Sequence, residues 1–189
     1  MTGHGHAEHS GGDKRIALLN SILALFLALI QTGAKSAQTE VITENVASAN
    51  LWAFFQARAI RQTTVRTAAE QAELQRSATV DPDVRASIEA QQRAWRDSAT
   101  RWESEPATGE GRKELSERAQ AAEHKRERSL AQYHFFEYSS AMFEIAIVIA
   151  SASIVTGVPA LAVLSILLGV GGLGLGSVGF LAPQAFQLF

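Results

Sequence analysis

The chain contains no cysteine. Disulfides, thiolate nucleophiles and cysteine-ligated zinc are excluded, and the redox compartment stays open. Proline is scarce, with four in 189 residues, and the first of them is Pro82. Charge is nearly absent from both ends. Of 17 Lys plus Arg, only Lys14 and Arg15 lie outside the stretch from Lys35 to His134, which leaves 15 inside it. Of 19 Asp plus Glu, Glu8, Asp13, Glu137 and Glu144 lie outside, which also leaves 15. The middle is therefore charged but neutral overall. It lacks the uncompensated basic surface that phosphate binding needs, so no nucleic-acid partner is expected. No nucleophile–base pair, metal-ligand cluster or pair of acids stands at useful spacing outside the apolar segments, so no catalytic site and no cofactor are expected. The amino-terminal His4, His6 and His9 have spacing that can hold a metal weakly. The glycines around them argue for a tail, and no metal site is expected.

The mean hydropathy of +0.02 hides three apolar segments. The first runs from Ile16 to Ala34 and just crosses a hydrocarbon core of ~30 Å at ~1.5 Å per residue. A signal peptide is the rival reading: Lys14 and Arg15 would be its basic region and Thr32-Gly33-Ala34 its cleavage site. Two later spans favour an uncleaved helix. The second segment runs from about Phe135 to Thr156 and the third from Pro159 to Ala182. Thr156-Gly157-Val158-Pro159 predicts a tight turn between them, with proline opening the next helix. Tyr133, His134, Phe135, Phe136 and Tyr138 form an aromatic belt at the start of the second span. On the third span Gly169, Gly172, Gly176 and Gly179 share one helical face. Such a face lets another backbone approach closely, within the chain or between copies. A phosphate-binding glycine loop is rejected, because no strand precedes it and no Lys or Ser/Thr pair follows.

Three helical stretches fill the middle. The first runs from Ser36 to about Thr79 without Pro or Gly. Asp81 or Thr79 then caps a second helix that ends near Ser104. Pro106, Gly109 and Gly111 break the chain before a third helix, which starts near Arg112 and can continue into the second span. The first helix, about 44 residues, would reach ~66 Å, and the next two together ~70 Å. One long helix out and two collinear helices back therefore predict an antiparallel hairpin. The fold class expected is an all-α integral membrane protein: three transmembrane helices with a coiled-coil-like stalk between the first and second. Its divisions are a disordered tail (1–14), span 1 (15–34), the extramembrane hairpin (35–134), span 2 (135–157), span 3 (158–182) and a short tail (183–189). Val41, Ser48, Trp52, Phe55 and Ala59 predict one side of the stalk seam, and Val84, Ile88, Trp95 and Trp102 the other. Arg93, Arg96, Asp97, Arg101 and Glu103 read as a solvated face.

Glu144 lies some eight residues inside the second span, ~12 Å past its start. A carboxylate that deep costs ~2.5–3.5 kcal/mol on insertion scales. Glu137 stands seven residues earlier, near the headgroups. Chain direction places Gln31 at a depth between Glu137 and Glu144, and Asn20 level with Ser151, Ser153 or Thr156. A hydrogen bond between helices or to a neighbouring copy is one use of Glu144, and a proton or cation path is another.

The stretch KSAQTEVITENVASANLWAFFQARAIRQ, from Lys35 to Gln62, resembles the segment just after the first membrane helix in an uncharacterised bacterial family, domain of unknown function 4337. Lys35, Thr39-Glu40, Asn50, Trp52, Gln56 and Arg58 carry the likeness. The three-span layout and the apolar carboxyl-terminal hairpin extend it over nearly the whole chain. Arg58 and Arg61 depart from the pattern, which has lysines there. The resemblance implies a bacterial inner-membrane protein and no activity. Lysine and arginine counts near the span ends place the stalk in the cytoplasm, although Lys14 and Arg15 pull the other way. The function expected is a structural or interaction component. Its partners would be membrane lipid, further copies bound through the glycine face and the stalk, and a protein partner on the stalk. An oligomeric channel or transporter component with Glu144 on its path is the alternative.

Overall fold

The computed structural model describes residues 7–183, with side chains from Lys14 onward. His4 and His6 lie outside the described residues, as does the side chain of His9. Of the stretches read as tails, 1–6 and 184–189 also lie outside them. The described residues form four helices and no strand: α1 (Ala7–Ala78), α2 (Pro82–Glu103), α3 (Arg112–Thr156) and α4 (Pro159–Leu181). Three of them, α1, α3 and α4, are long and apolar enough to cross a membrane. α1 starts at Ala7, inside the segment expected as a tail, and is unbroken through the first apolar span and the charged stretch beyond it.

The helix ends follow from local chemistry. Pro82 has no N–H to donate to α1, and it pushes Asp81 into extended backbone (φ −66°, ψ 122°). Asp81 then caps α2, its carboxylate accepting from the N–H groups of Asp83 (2.9 Å) and Val84 (3.4 Å). Gly157 takes φ +67°, a conformation that favours glycine, and Pro159 opens α4.

The chain divides into two compact units. Among the described residues unit 1 comprises 7–42 and 126–183, and unit 2 comprises 43–125. In unit 1 the core is Leu23, Ile30, Ala37, Phe136, Phe143 and Ala146. Phe26 stacks on Phe143 with centroids 6.1 Å apart. Serines tie the helices together. Ser139 donates to the carbonyl of Gly172 (2.7 Å) and Ser165 to that of Ala146 (2.8 Å).

In unit 2 polar contacts pair α1 with α3 and α2 in reverse numerical order. Glu44 meets Lys125, and Ser48 and Trp52 meet Glu123. Arg58 meets Glu110, and Gln62 meets Ala99, Glu103 and Arg112. Gln92 meets Ala69 and Glu73. The seam is thus more polar than the apolar spacing predicts. Gln62 and Gln92 are each 2 % exposed, whereas Val84, expected in the seam, is 46 % exposed. Glu103 is exposed, as expected of the solvated face, and accepts hydrogen bonds from Gln62 (2.8 Å) and from its ion-pair partner Arg112 (3.1 Å).

The Arg76 hydrogen bond, then that of Gln92, holds the Glu73 carboxyl down from 4.5 to about 2. A depressed pKa stabilises the fold above the unfolded value, and that stabilisation is lost as pH falls from about 4.5 toward 2. We expect unit 2 to unfold at lower temperature at pH 3 than at pH 6. Glu73→Gln should lose part of this acid dependence. Circular dichroism melts of the two proteins across that pH range make the comparison.

Candidate functional site

Glu144 projects from the apolar part of α3 and is exposed on the outside of the three-helix bundle of unit 1. Gln31, exposed on α1, donates its Nε2 to Glu144 Oε1 at 3.3 Å. Further along the same helix pair Asn20 Nδ2 donates to Ser151 Oγ at 2.9 Å, and Ser151 donates to the carbonyl of Ile147. The structure therefore brings four of the residues singled out in the sequence, or their expected neighbours, to one side of α1 and α3. Glu137 is not part of that pair. It sits exposed beside His134, with Nδ1 to Oε2 at 3.6 Å. Two buried polar atoms along these helices, Asn20 Oδ1 and Ser140 Oγ, have no hydrogen-bond partner among the described residues. Sequence reasoning missed Ser140, although it stands four residues before Glu144. One carboxylate beside one amide can hydrogen-bond and can hold a cation or proton.

The glycine face points the other way. Gly169, Gly172, Gly176 and Gly179 are all buried inside unit 1. A Cβ at Gly169 would meet Leu23 at 2.6 Å, and one at Gly176 would meet Ile30 at 2.5 Å. Gly172 lies against Phe143 and the carbonyl of Ser139, and Gly179 against Phe135 and Phe136. Of the two uses expected for this face, within the chain or between copies, the structure shows the first: side chains of α1 and α3 of the same chain pack against it.

The stalk aromatics take separate roles. Trp52 Nε1 donates to Glu123 at 2.8 Å and meets Phe55 edge-on at 5.4 Å. The Arg112 guanidinium lies over Phe55, 4.9 Å from its centroid. Trp95 and Trp102 are half-buried on α2. The sequence reading missed Arg58, Gln62 and Gln92 as buried polar residues. Each is buried by bonding to a group distant in sequence, so the periodicity of its own segment does not mark it.

The family described as Domain of unknown function (DUF4337) matches residues 12–182, both units included. The chain belongs to the domain of unknown function 4337 family. No curated protein and no solved structure matches it. In this DUF4337 chain the segment that carried the resemblance, Lys35 to Gln62, holds one end of several contacts just described. Trp52 reaches Glu123, and Arg58 reaches Glu110 at 2.5 Å.

Proposed function

We propose that the chain is an integral membrane protein with a structural or interaction role, and that copies associate through the outer side of α1 and α3. Its three apolar helices cross the bilayer. Unit 2 is an extramembrane antiparallel hairpin between the first and second spans. The location is a bacterial inner membrane, and the basic residues near the span ends favour a cytoplasmic hairpin. One observation carries the reading: the Gln31–Glu144 pair is exposed on the outside of an apolar bundle. Facing lipid, such a carboxylate costs ~2.5–3.5 kcal/mol on insertion scales, which a covering helix relieves. Ala17, Ser21, Ala24 and Ala28 are exposed on α1 at spacings of three and four that lead along one face to Gln31, and they are small enough for a second helix to approach closely.

The test is disulfide cross-linking in membranes, which the cysteine-free chain permits. Cysteine placed at Ala24 or Ala28 should link two copies, and cysteine at the lipid-facing Leu167 of α4 should not. Glu144→Ala should lower the linked fraction, with an association constant reduced about tenfold, since hydrogen bonds between membrane helices contribute roughly 0.6–1.7 kcal/mol each. Equal linking at all three positions, or a monomer at every concentration, defeats the proposal.

The same carboxylate supports a second reading, a channel or transporter component in which Glu144 lines a path between copies. It requires proton or cation flux in liposomes that falls on Glu144→Gln. Unchanged flux, or none from the unaltered protein, removes it.

A further inference from the structure

Within unit 2 the segments 62-QTTVRTAAEQAE-73 and 92-QRAWRDSATRWE-103 correspond at a fixed offset. Gln62 matches Gln92, Arg66 matches Arg96, Ala69 matches Ala99 and Glu73 matches Glu103. The structure turns this likeness into an approximate two-fold axis. Gln62 Nε2 donates to the carbonyl of Ala99 (2.9 Å) and to Glu103 (2.8 Å). Reciprocally, Gln92 Nε2 donates to the carbonyl of Ala69 (2.8 Å) and to Glu73 (3.1 Å). The two alanines are each 5 % exposed. Symmetry ends at the flanks, where Arg112 serves Glu103 and Arg76 serves Glu73.

An open groove of about 450 Å³ lies on this axis, between α1 and α2. Its lining consists of four corresponding pairs: Val65 and Trp95, Arg66 and Arg96, Ala69 and Ala99, Glu70 and Thr100. The antiparallel register sets Val65 opposite Arg96 and Arg66 opposite Trp95, so the two arginines stand at nearly one level on opposite walls. Arg93 and Arg101 on α2 have carboxylate partners, as do Arg58, Arg76 and Arg112. Arg66 and Arg96 are exposed and in no ion pair among the described residues. Among the lining residues two arginines face one acid, Glu70, a net charge of one positive unit, although Arg96 also acts at longer range on the Glu73 carboxylate beside the groove.

We propose that this groove docks an acidic amphipathic helix of a partner protein. The alanine floor admits a helix closely. Val65 and Trp95 meet its apolar stripe, and Arg66 and Arg96 bracket a carboxylate on it from both sides. A second copy is the wrong occupant: docking by its own groove would gather four arginines about one axis, and like charges there oppose the contact. The inference rests on unit 2 lying in water, as proposed above.

The experiment uses the full chain in nanodiscs and two labelled helical peptides of three heptads. Both carry leucine and isoleucine on one face, flanked by glutamates in one and by lysines in the other. Iodide should first quench Trp95, judged as the quenching lost in Trp95→Phe. A shielded Trp95 would overturn the extramembrane reading, and this inference with it. With Trp95 accessible, the acidic peptide should bind about tenfold or more tightly than the basic one, weaken with salt, and shift Trp95 emission. Arg66→Glu combined with Arg96→Glu should reverse the preference toward the basic peptide. Failure of the acidic peptide to bind, equal binding of both, or a preference that survives the double reversal overturns the proposal. So does a Trp95 shift that follows protein concentration alone, which would mark a second copy in the groove.

Discussion

Gly111→Ala should cost unit 2 about 3 kcal/mol and lower its melting temperature by on the order of 10 °C. Gly111 is buried where the α2–α3 connection folds back on itself. A Cβ there would overlap the backbone nitrogen of Glu105 and lie 2.7 Å from Ser104 Cα. Backbone atoms cannot swing aside as a side-chain end can, so the connection must open. Opening it also disturbs Glu114, which accepts from the Ser104 hydroxyl (2.5 Å) and the Glu105 N–H (3.1 Å). The Ser104 hydrogen bond is the main cause holding the Glu114 carboxyl below its usual range. Gly109 supplies the control. Its φ is +69°, and a Cβ there would meet only Arg118 at 3.9 Å. Asparagine tolerates that backbone, so Gly109→Asn should cost a few tenths of a kcal/mol. Thermal melts followed by circular dichroism decide between them. Equal losses at the two glycines would show that conformation, and not the space at Gly111, governs the connection.

The helix boundaries were legible because they rest on local chemistry. Asp81-Pro82 and Gly157-Val158-Pro159 interrupt helices whatever the rest of the chain does. Counting residues along unbroken helices also sets Gln31 near Glu144, since rise per residue is constant. The seam of unit 2 was harder to read. A search for recurring large apolar residues selects Val84 and passes over Gln62, Gln92 and Arg58. Burial of those polar groups depends on a carbonyl or carboxylate supplied by the other arm. Periodicity within one segment carries no record of that partner. The internal correspondence that exposes it, Gln-x6-Ala-x3-Glu in both arms, becomes meaningful only once the arms are known to lie side by side. The glycine face had the opposite difficulty. Its spacing announces close packing, and nothing in one helix tells whether the neighbour belongs to the same chain.

That last ambiguity yields the second large effect. Gly176→Leu should push α4 away from α1 and cost roughly 2–4 kcal/mol, because a packed interior has no room for four added carbons. Between membrane helices burying apolar surface gains little over lipid, so loss of packing contact is the main cost. The smaller change Gly176→Ala gives the sharper test. Its Cβ would lie 2.5 Å from Ile30 Cδ1, while Ile30 Cγ1 is 3.6 Å away. Ile30→Val deletes Cδ1 and little else. The double variant should therefore recover most of the stability that Gly176→Ala loses, a coupling of about 1 kcal/mol in a double-mutant cycle. Ser139 Oγ, 3.2 Å from the same Cβ, would prevent full recovery. Reversible unfolding in mixed micelles provides the measurement, repeated at two protein concentrations. Rescue independent of concentration follows if α1 of the same chain fills the glycine face. Rescue that fails, together with a stability that rises with concentration, would place a neighbouring copy against Gly176 and return the association surface to α4.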